Sequence, residues 1–175
     1  MIRFSFFIIF LFSCTNDPYL VQEFIFEEKI PIEEIKQGEF IHTEQGNLKV
    51  KIKADLIQRY QEDQPALLFS NNISVVFYDG YSKIISKLNS ELATIDEEKK
   101  IMTASRNVIL EGVDKKIETQ ELIWDEKTDK IYTDQKVKIT TSKEVIFGEG
   151  FISNIDFSVF SIEKINGMFN LDLEE

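Results

Sequence analysis

Between Asn107 and Thr141 the chain reads NVILEGVDKKIETQELIWDEKTDKIYTDQKVKITT, and its apolar residues return at every second position. Val108 and Leu110 share one face, as do Leu122 and Trp124, then Val137 and Ile139, while Lys, Glu, Thr and Asp fill most of the other positions. A two-residue step is the period of a half-buried strand and excludes a helix here. Polar, turn-prone groups at Gly112 to Lys116, Asp125 to Lys130 and Asp134 to Lys136 divide the stretch into four short strands. The pattern also repeats. Asp96 to Val108 (DEEKKIMTASRNV) aligns with Asp125 to Val137 (DEKTDKIYTDQKV) without a gap at an offset of 29 residues, and Asn72-Ile-Ser-Val matches Asn107-Val-Ile-Leu at an offset of 35. Repeated strands predict stacked layers in which equivalent positions point inward.

The same alternation runs through most of the chain. Phe40-Ile41-His42-Thr43, a turn at Glu44 to Asn47 and Leu48 to Ile52 predict a first hairpin, with Asp55 to Tyr60 continuing as a strand or bridge. Pro65 belongs beside an edge or in a connection. Ile73 to Phe77 followed by Tyr78-Asp79-Gly80-Tyr81 is a second hairpin signal, and Ile84 to Leu88, Glu91 to Ile95, Val145 to Phe147 and Phe157 to Ile162 follow as strands. Gly148-Glu149-Gly150 reads as a bulge or a close backbone approach. Gly167 to Leu173 is a terminal strand or a tail. About fourteen short strands without a convincing helix leave a sandwich, a barrel or a stacked β-solenoid with a jelly-roll-like section, and the repeat favours the last. In such a stack Ile73, Val108 and Val137 form one ladder and Val75, Leu110 and Ile139 another, with Ile95 and Trp124 on the facing wall. The ladders meet either in a dry core or across an apolar trough.

A chain of 175 residues with 15 Phe, 3 Pro and 7 Gly has room for one domain with a real core. Its 20 basic and 31 acidic side chains give a net charge of −11, which opposes nucleic acid and anionic membrane faces. Residues 1–13 differ: Arg3 precedes an apolar run, Phe4 to Phe12, broken only by Ser5. This run is too short for a permanent span and has the form of an export signal. Leu11-Phe12-Ser13-Cys14 resembles the lipobox of bacterial lipoproteins, with Phe12 larger than the usual residue. Cleavage before Cys14 would leave 19 basic against 31 acidic groups, −12, and acyl chains on Cys14 would anchor the product to a membrane. Cys14 is the single cysteine, so an intramolecular disulfide is excluded. Residues 14–38, acidic and interrupted by Pro18 and Pro31, form the lipidated N-terminus and a tether, with a helical turn possible after Pro31; the apolar group Leu20, Val21, Phe24, Ile25 and Phe26 instead suits an edge strand or docking segment. The folded domain is expected over 39–175.

Catalytic chemistry finds little support. His42 is the only histidine and lacks neighbours at metal-ligand spacing. GxSxG, HExxH, CxxC and phosphate-loop motifs are absent. Asp125, Glu126 and Asp129 lack the glycine and spacing of a calcium loop and read as a solvated turn. Lys83, Lys87, Lys115 and Lys116 fall near turns, where they are either solvated or within reach of phosphates. The enzyme class is therefore set aside and no cofactor is expected.

Taken together, Ile41 to Tyr60 (IHTEQGNLKVKIKADLIQRY), Ile73 to Asp79 (ISVVFYD), Glu118 to Asp125 (ETQELIWD) and Gly148 to Ser158 (GEGFISNIDFS) resemble the LptC family of lipopolysaccharide export, in the lipoprotein form of Bacteroidetes-like bacteria. No single motif is specific; the order and spacing of the four carry the likeness over Phe40 to Gly167. The resemblance implies an all-β, twisted, half-open β-jelly-roll of the OstA/LptA-like kind, made of stacked antiparallel strands. It also implies a periplasmic protein held at the inner membrane, here through Cys14 rather than the transmembrane helix of better-known members. Its apolar groove would shield the acyl chains of lipopolysaccharide, lined by Ile73, Val75, Phe77, Ile95, Val108, Leu110, Leu122, Trp124, Val137, Ile139 and Phe147. Lipopolysaccharide would arrive from the LptB, LptF and LptG transporter at the N-terminal edge and leave to LptA or an equivalent at the C-terminal edge. The alternative is a structural or surface lipoprotein of the same fold with a filled core and no lipid transfer.

Overall fold

A computed structural model describes residues 30–61 and 65–170. The leader 1–13, Cys14, the Leu20 to Phe26 group and Leu171 to Leu173 lie outside the described residues. The rest is built from β-strands: β1 (Glu33–Glu44), β2 (Asn47–Arg59), β3 (Leu67–Tyr78), β4 (Ile84–Asp96), β5 (Ile101–Glu111), β6 (Lys115–Asp125), β7 (Lys130–Thr141), β8 (Glu144–Asn154) and β9 (Phe160–Asn170). They form one antiparallel sheet in the order β1 to β9, each strand hydrogen-bonded only to its neighbours in sequence. Among the described residues β1 and β9 each have a free edge, so the sheet is open rather than a barrel. The described residues are all-β with a jelly-roll-like sheet, and no helix among them is long and apolar enough to cross a membrane.

The strands are fewer and longer than the sequence suggests, 11 to 13 residues each in place of about fourteen short runs. Ile84 to Leu88 and Glu91 to Ile95 are two halves of β4, and Asp134 to Lys136 lies inside β7 rather than in a turn. Polar groups resembling turns are mid-strand bulges. The pairings shift register at Lys53/Leu56, Ser70/Ile73, Asn89/Leu92, Ser105/Val108, Thr119/Ile123 and Thr133/Lys136, so the irregularities line up from strand to strand. Left-handed backbone accompanies them: Asn71 (φ 62°), Asn72 (48°), Arg106 (66°), Asn107 (51°) and Gly150 (73°). Asn tolerates this conformation better than most residues, and a bulge bends its strand. Side chains stitch the line together. Asn72 Nδ2 donates to Asp55 Oδ2 at 2.6 Å, Asn107 Nδ2 donates to Glu91 Oε1, and Thr119 Oγ1 donates to the Lys136 carbonyl at 2.9 Å.

Strands β2 to β8 therefore bend on one line, and the sheet folds over on its own apolar face. Apart from the β8–β9 connection, that face has no other cover among the described residues, yet Phe69, Val75, Phe77, Leu110, Ile117 and Ile139 are fully buried. A continuous apolar rung crosses one wall: Phe40, Ile52, Val75, Leu88, Leu110, Ile117, Ile139 and Ile146 are successive cross-strand partners. It contains the expected ladder Val75, Leu110 and Ile139, with Leu88 and Ile117 between them. Val108 and Val137 flank Thr119 on the next rung, and Ile73 faces Ser90. Leu67, Ile95, Met102, Trp124 and Ile131 are successive partners across the other wall.

The internal repeat spans a two-strand step of the antiparallel sheet, not one coil of a solenoid. Each copy begins with an aspartate that closes the turn into β5 or β7. Asp96 Oδ1 accepts from the Lys99 amide at 2.9 Å; Asp125 Oδ1 accepts from the Lys127 amide at 2.9 Å and its Oδ2 from the Thr128 hydroxyl at 2.9 Å. The sheet also starts earlier than expected. β1 begins at Glu33, with Ile35 opposite Ile57 and Gly38 opposite Ala54, so Glu33 to Gly38 belong to the sheet rather than to a tether or a helical turn. At the other end β9 crosses close to β8: a Cβ on Gly148 would meet Ile162 Cγ2 and sit 2.8 Å from the Lys164 carbonyl oxygen, the close approach that Gly148-Glu149-Gly150 predicts.

Leu110→Ala, at the centre of the rung, is expected to lower unfolding free energy by about 2–5 kcal/mol, whereas Ile109→Ala on the outer face should cost about 1 kcal/mol or less. Urea midpoints distinguish them, and equal losses would contradict the inward assignment.

Candidate functional site

The interior is a slot between two walls, and its open side lies between two rims of turns. One rim carries residues 45–46, 79–83, 112–114 and 142–143; the other carries 97–100, 126–129 and 155–159. Of the residues expected to line it, Ile73, Val75, Phe77, Val108, Leu110, Leu122, Trp124, Val137 and Ile139 are buried on the inner face, and Ile95 is half-buried beside Met102. Phe147 is placed elsewhere. It sits across from Lys138 on the outer face, 38% exposed, with its ring 6.0 Å from Phe169. Val145-Ile-Phe allows either phase of alternation, and pairing of Ile146 with Ile139 selects the one that turns Phe147 outward. Phe40, Phe69, Leu88, Met102 and Ile117 are inner-face residues that the same alternation could have supplied. Phe157, expected to open the last strand, lies instead in the connection before β9, which begins at Phe160; its burial and that of Ile155 depend on this connection crossing between walls, for which the alternation carries no signal.

The two rims touch at both ends of the slot. Toward β1, Phe40 meets Phe69 edge-on at 5.8 Å and Phe77 meets Trp124 at 5.6 Å. Above them Lys49 Nζ lies 3.7 Å from Asp129, and His42 Nε2 lies 3.3 Å from Glu126 Oε1 without hydrogen-bond geometry. Toward β9, the connection from β8 crosses the opening: the Ser86 hydroxyl donates to the Ile155 carbonyl at 2.9 Å, Phe157 packs on Gly112, and Lys115 Nζ sits 5.8 Å from the Phe157 ring centre. Phe151, Phe157 and Phe160 cluster beneath, with centroids 5.5 to 6.0 Å apart.

Between these closures, near β1, lies a cavity of about 190 Å³ walled by Phe40, Val50, Ile52, Ile95, Met102 and Trp124, with His42, Asp96, Glu97, Lys100 and Glu126 at its lip. A 150 Å³ apolar cavity accommodates benzene. This one thus holds a few carbons, not several acyl chains, and a larger guest requires the walls to part. Partly exposed ion pairs at the rims contribute at most about 1 kcal/mol each, and an aromatic edge contact about 0.5–1.5 kcal/mol. A hydrocarbon guest replaces wall-on-wall contact with wall-on-chain contact, so opening around it leaves little apolar surface in water.

The acids at the lip have structural partners. Asp96 is held below the usual carboxylate range chiefly by the Lys99 side chain, helped by backbone amides. Burial pushes the Asp125 carboxyl up, but the Thr128 hydroxyl and the Lys127 and Thr128 amides prevail and lower it. Glu126 lies 3.1 Å from Lys100, and Asp129 faces Lys49. These carboxylates do not gather around one point, and no group of metal-ligating side chains occurs among the described residues. Lys115 pairs with Asp114 at 3.1 Å and Lys116 with Glu118 at 3.5 Å, while Lys83 and Lys87 are exposed. On the edge strands, Ile35 and Ile41 of β1 and Ile165, Met168 and Phe169 of β9 are exposed.

An open antiparallel sheet folded over a continuous apolar face, with polar groups engaged at turns and rims, defines a β-jelly-roll-like protein. Residues 35–164 match the family described as Lipopolysaccharide-assembly, LptC-related, and the chain belongs to it. It is thus a component of lipopolysaccharide transport rather than an enzyme, of a family that works on the periplasmic side of the envelope, linked to the inner membrane. Comparison with curated proteins gives no significant match.

Ser86→Ala removes the hydroxyl that ties the rims and leaves the Ile155 carbonyl without that donor, a change of about 1–3 kcal/mol for a buried acceptor. Amide exchange across residues 155–159 should accelerate by about fivefold to 150-fold, the equivalent of that free energy; unchanged exchange would show that the tie does not hold the connection. The stability carried by Asp96 is present above the unfolded-state pKa of about 3.9 and is lost as pH falls through its lower folded-state value. Asp96→Asn should flatten the acid limb of the urea midpoint plotted against pH.

Proposed function

We propose that the protein is a membrane-tethered lipopolysaccharide carrier. It accepts lipopolysaccharide from the inner-membrane transporter of LptB, LptF and LptG, shields the acyl chains between its walls, and passes them to LptA or an equivalent jelly roll. The observation that carries this proposal is the apolar rung running from Phe40 on β1 to Ile146 on β8 without a polar interruption. Such a surface gives hydrocarbon a path from one open edge toward the other. At about 25 cal/mol per Å², a few hundred Å² of acyl surface kept from water is worth several kcal/mol, with no catalytic step. The net negative charge offers no attraction to an anionic head group, which suits a mode in which sugars and phosphates stay in solvent outside the slot.

Family membership supports the transport role, and the free edges of β1 and β9 support transfer by strand addition, in which a like-folded partner continues the sheet. The N-terminal edge is assigned to the transporter and the C-terminal edge to the next carrier. Residues 1–13 act as the export leader, Cys14 carries the acyl anchor at the inner membrane, and the segment after it is the tether.

The wall-to-wall contact of Phe77 with Trp124 favours a second reading, a structural lipoprotein whose core stays filled. Photocrosslinking residues placed in cells at Leu110, Trp124 and Ile139 separate the two. Capture of lipopolysaccharide from these positions, with none from outward Ile109, is expected of a carrier; capture from Ile109 alone, or from no position, would establish the filled core. Cys14→Ser should release the chain from the membrane fraction.

A further inference from the structure

The connection from β8 to β9, residues 155–159, is bonded mostly to itself. The Phe157 amide donates to the Asn154 carbonyl at 3.0 Å, the Val159 amide to Asn154 Oδ1 at 3.0 Å, the Ser158 amide to Asp156 Oδ1 at 2.9 Å and the Asn154 side-chain amide to Ser158 Oγ at 2.9 Å. Across the opening, among the described residues, the hydrogen bond from Ser86 to the Ile155 carbonyl stands alone. Burial supplies the remaining hold: Ile155 and Phe157 turn into the slot, whereas Asp156, Ser158 and Val159 are exposed. This placement strains the Phe157 backbone. Its φ is 56°, and the other non-glycine residues with positive φ among the described residues are Gln, Asn, Ser, Lys, Arg and Asp. A bulky aromatic residue adopts that conformation only where its surroundings impose it, here through packing of the ring against Phe151, Phe160 and Gly112.

A second seat for the ring lies outside the slot. An open hollow of about 420 Å³ is bordered by Ile84, Ile85 and Val113 on the opposite rim and by Asp156 and Ser158, the two chain neighbours of Phe157. Ile84 is 47% and Val113 94% exposed there, apolar surface that nothing covers among the described residues. We propose that residues 155–159 are a displaceable strap: Phe157 fills the β9 end of the slot while the slot is empty, and hydrocarbon advancing along the slot evicts it into the hollow. The loop can move without dismantling either wall, because its bonds are mostly its own. Eviction breaks the Ser86 bond and takes Ile155 and Phe157 out of their packing, which keeps the empty protein shut. Release of the strain at Phe157, contact with Ile84 and Val113, and chain-on-wall contact in the vacated space oppose that cost. The strap deepens the carrier proposal and rests on it for biological meaning, but its competition with hydrocarbon is testable on its own.

The ¹⁵N-labelled full chain, held on unlabelled lipid nanodiscs, is equilibrated with hexane vapour at stepped activities. Amide shifts of Ile52 and Met102 report hexane in the cavity near β1, those of Gly112 and Phe151 report hexane beneath the strap, and amide exchange over 155–159 reports opening. Hexane should reach Gly112 and Phe151 only together with a rise of at least about fivefold in that exchange. Competition is reciprocal. Ser86→Ala should therefore lower the hexane activity that half-shifts Gly112 by the same factor by which it speeds exchange without hexane, about fivefold to 150-fold. Asn72→Ala, which loosens the outer bend and not the strap, should leave that activity within about twofold. Val113→Ser alters a side chain that packs on nothing while the strap is closed; it should leave the urea midpoint unchanged and raise the hexane activity needed by about twofold to tenfold. Hexane beneath the strap with exchange unchanged or slowed, equal effects of Ser86→Ala and Asn72→Ala, no effect of Val113→Ser, or no hexane beneath the strap at any activity overturns the inference. If Ser86→Ala does not fold, the hexane dependence of exchange in the unaltered chain decides it. Failure here with lipopolysaccharide still captured at Leu110 and Ile139 leaves the carrier proposal standing; competition with hexane but no capture in cells retains the strap and removes the carrier.

Discussion

Burial of one face of a single sheet against itself is the interaction on which the rest of the structure depends. Each strand alternates, so each presents apolar groups to the same side, and no second layer covers them among the described residues. The sheet can remove that face from water only by bending double. The aligned bulges make this possible, and the Asn72–Asp55 and Asn107–Glu91 hydrogen bonds reinforce the bend on its outer side. Without the bend, residues such as Phe69 and Leu110 could not reach full burial.

The inner face was largely legible in the sequence because a two-residue period leaves only two choices for each strand, and burial decides between them. Val75, Leu110 and Ile139 fall on one rung for that reason, although their neighbours in the rung are Leu88 and Ile117 from intervening strands that the sequence ladders skipped. Phe147 went the wrong way because three consecutive apolar residues carry no phase, which came instead from pairing with β7. Strand ends were harder. Asn-rich and Asp-rich segments mark turns and bulges alike, since both use left-handed or irregular backbone, and only hydrogen-bonded register distinguishes them. The repeat was legible as a repeat, but an antiparallel two-strand step and a solenoid coil leave similar traces in a sequence. The crossing of Ile155 and Phe157 had no local signature, because it is fixed by Ser86 and Gly112, far away along the chain.

The closures at the two ends differ in kind. Near β1 they are aromatic edges with partly exposed charges above them; near β9 a backbone carbonyl and a cluster of phenylalanine rings fill the opening. The cavity lies by the first and not the second. A slot looser at one end than the other has a direction built into its packing, and in the proposed carrier a hydrocarbon chain entering at the looser end would need to displace only side chains there. At the tighter end it must also move a segment of backbone.

The sequential order of the sheet has a consequence for how the chain reaches this state. Because each strand finds its partner in the one just before it, the ladder can grow hairpin by hairpin from the first strands to emerge, without waiting for a distant segment to return. A polypeptide delivered end-first across a membrane could thus acquire order at the pace of its arrival. The cross-rim bond from Ser86 to Ile155 spans 69 positions and can form only when nearly the whole sheet exists, so it acts as a late fastening on a structure otherwise assembled from local steps.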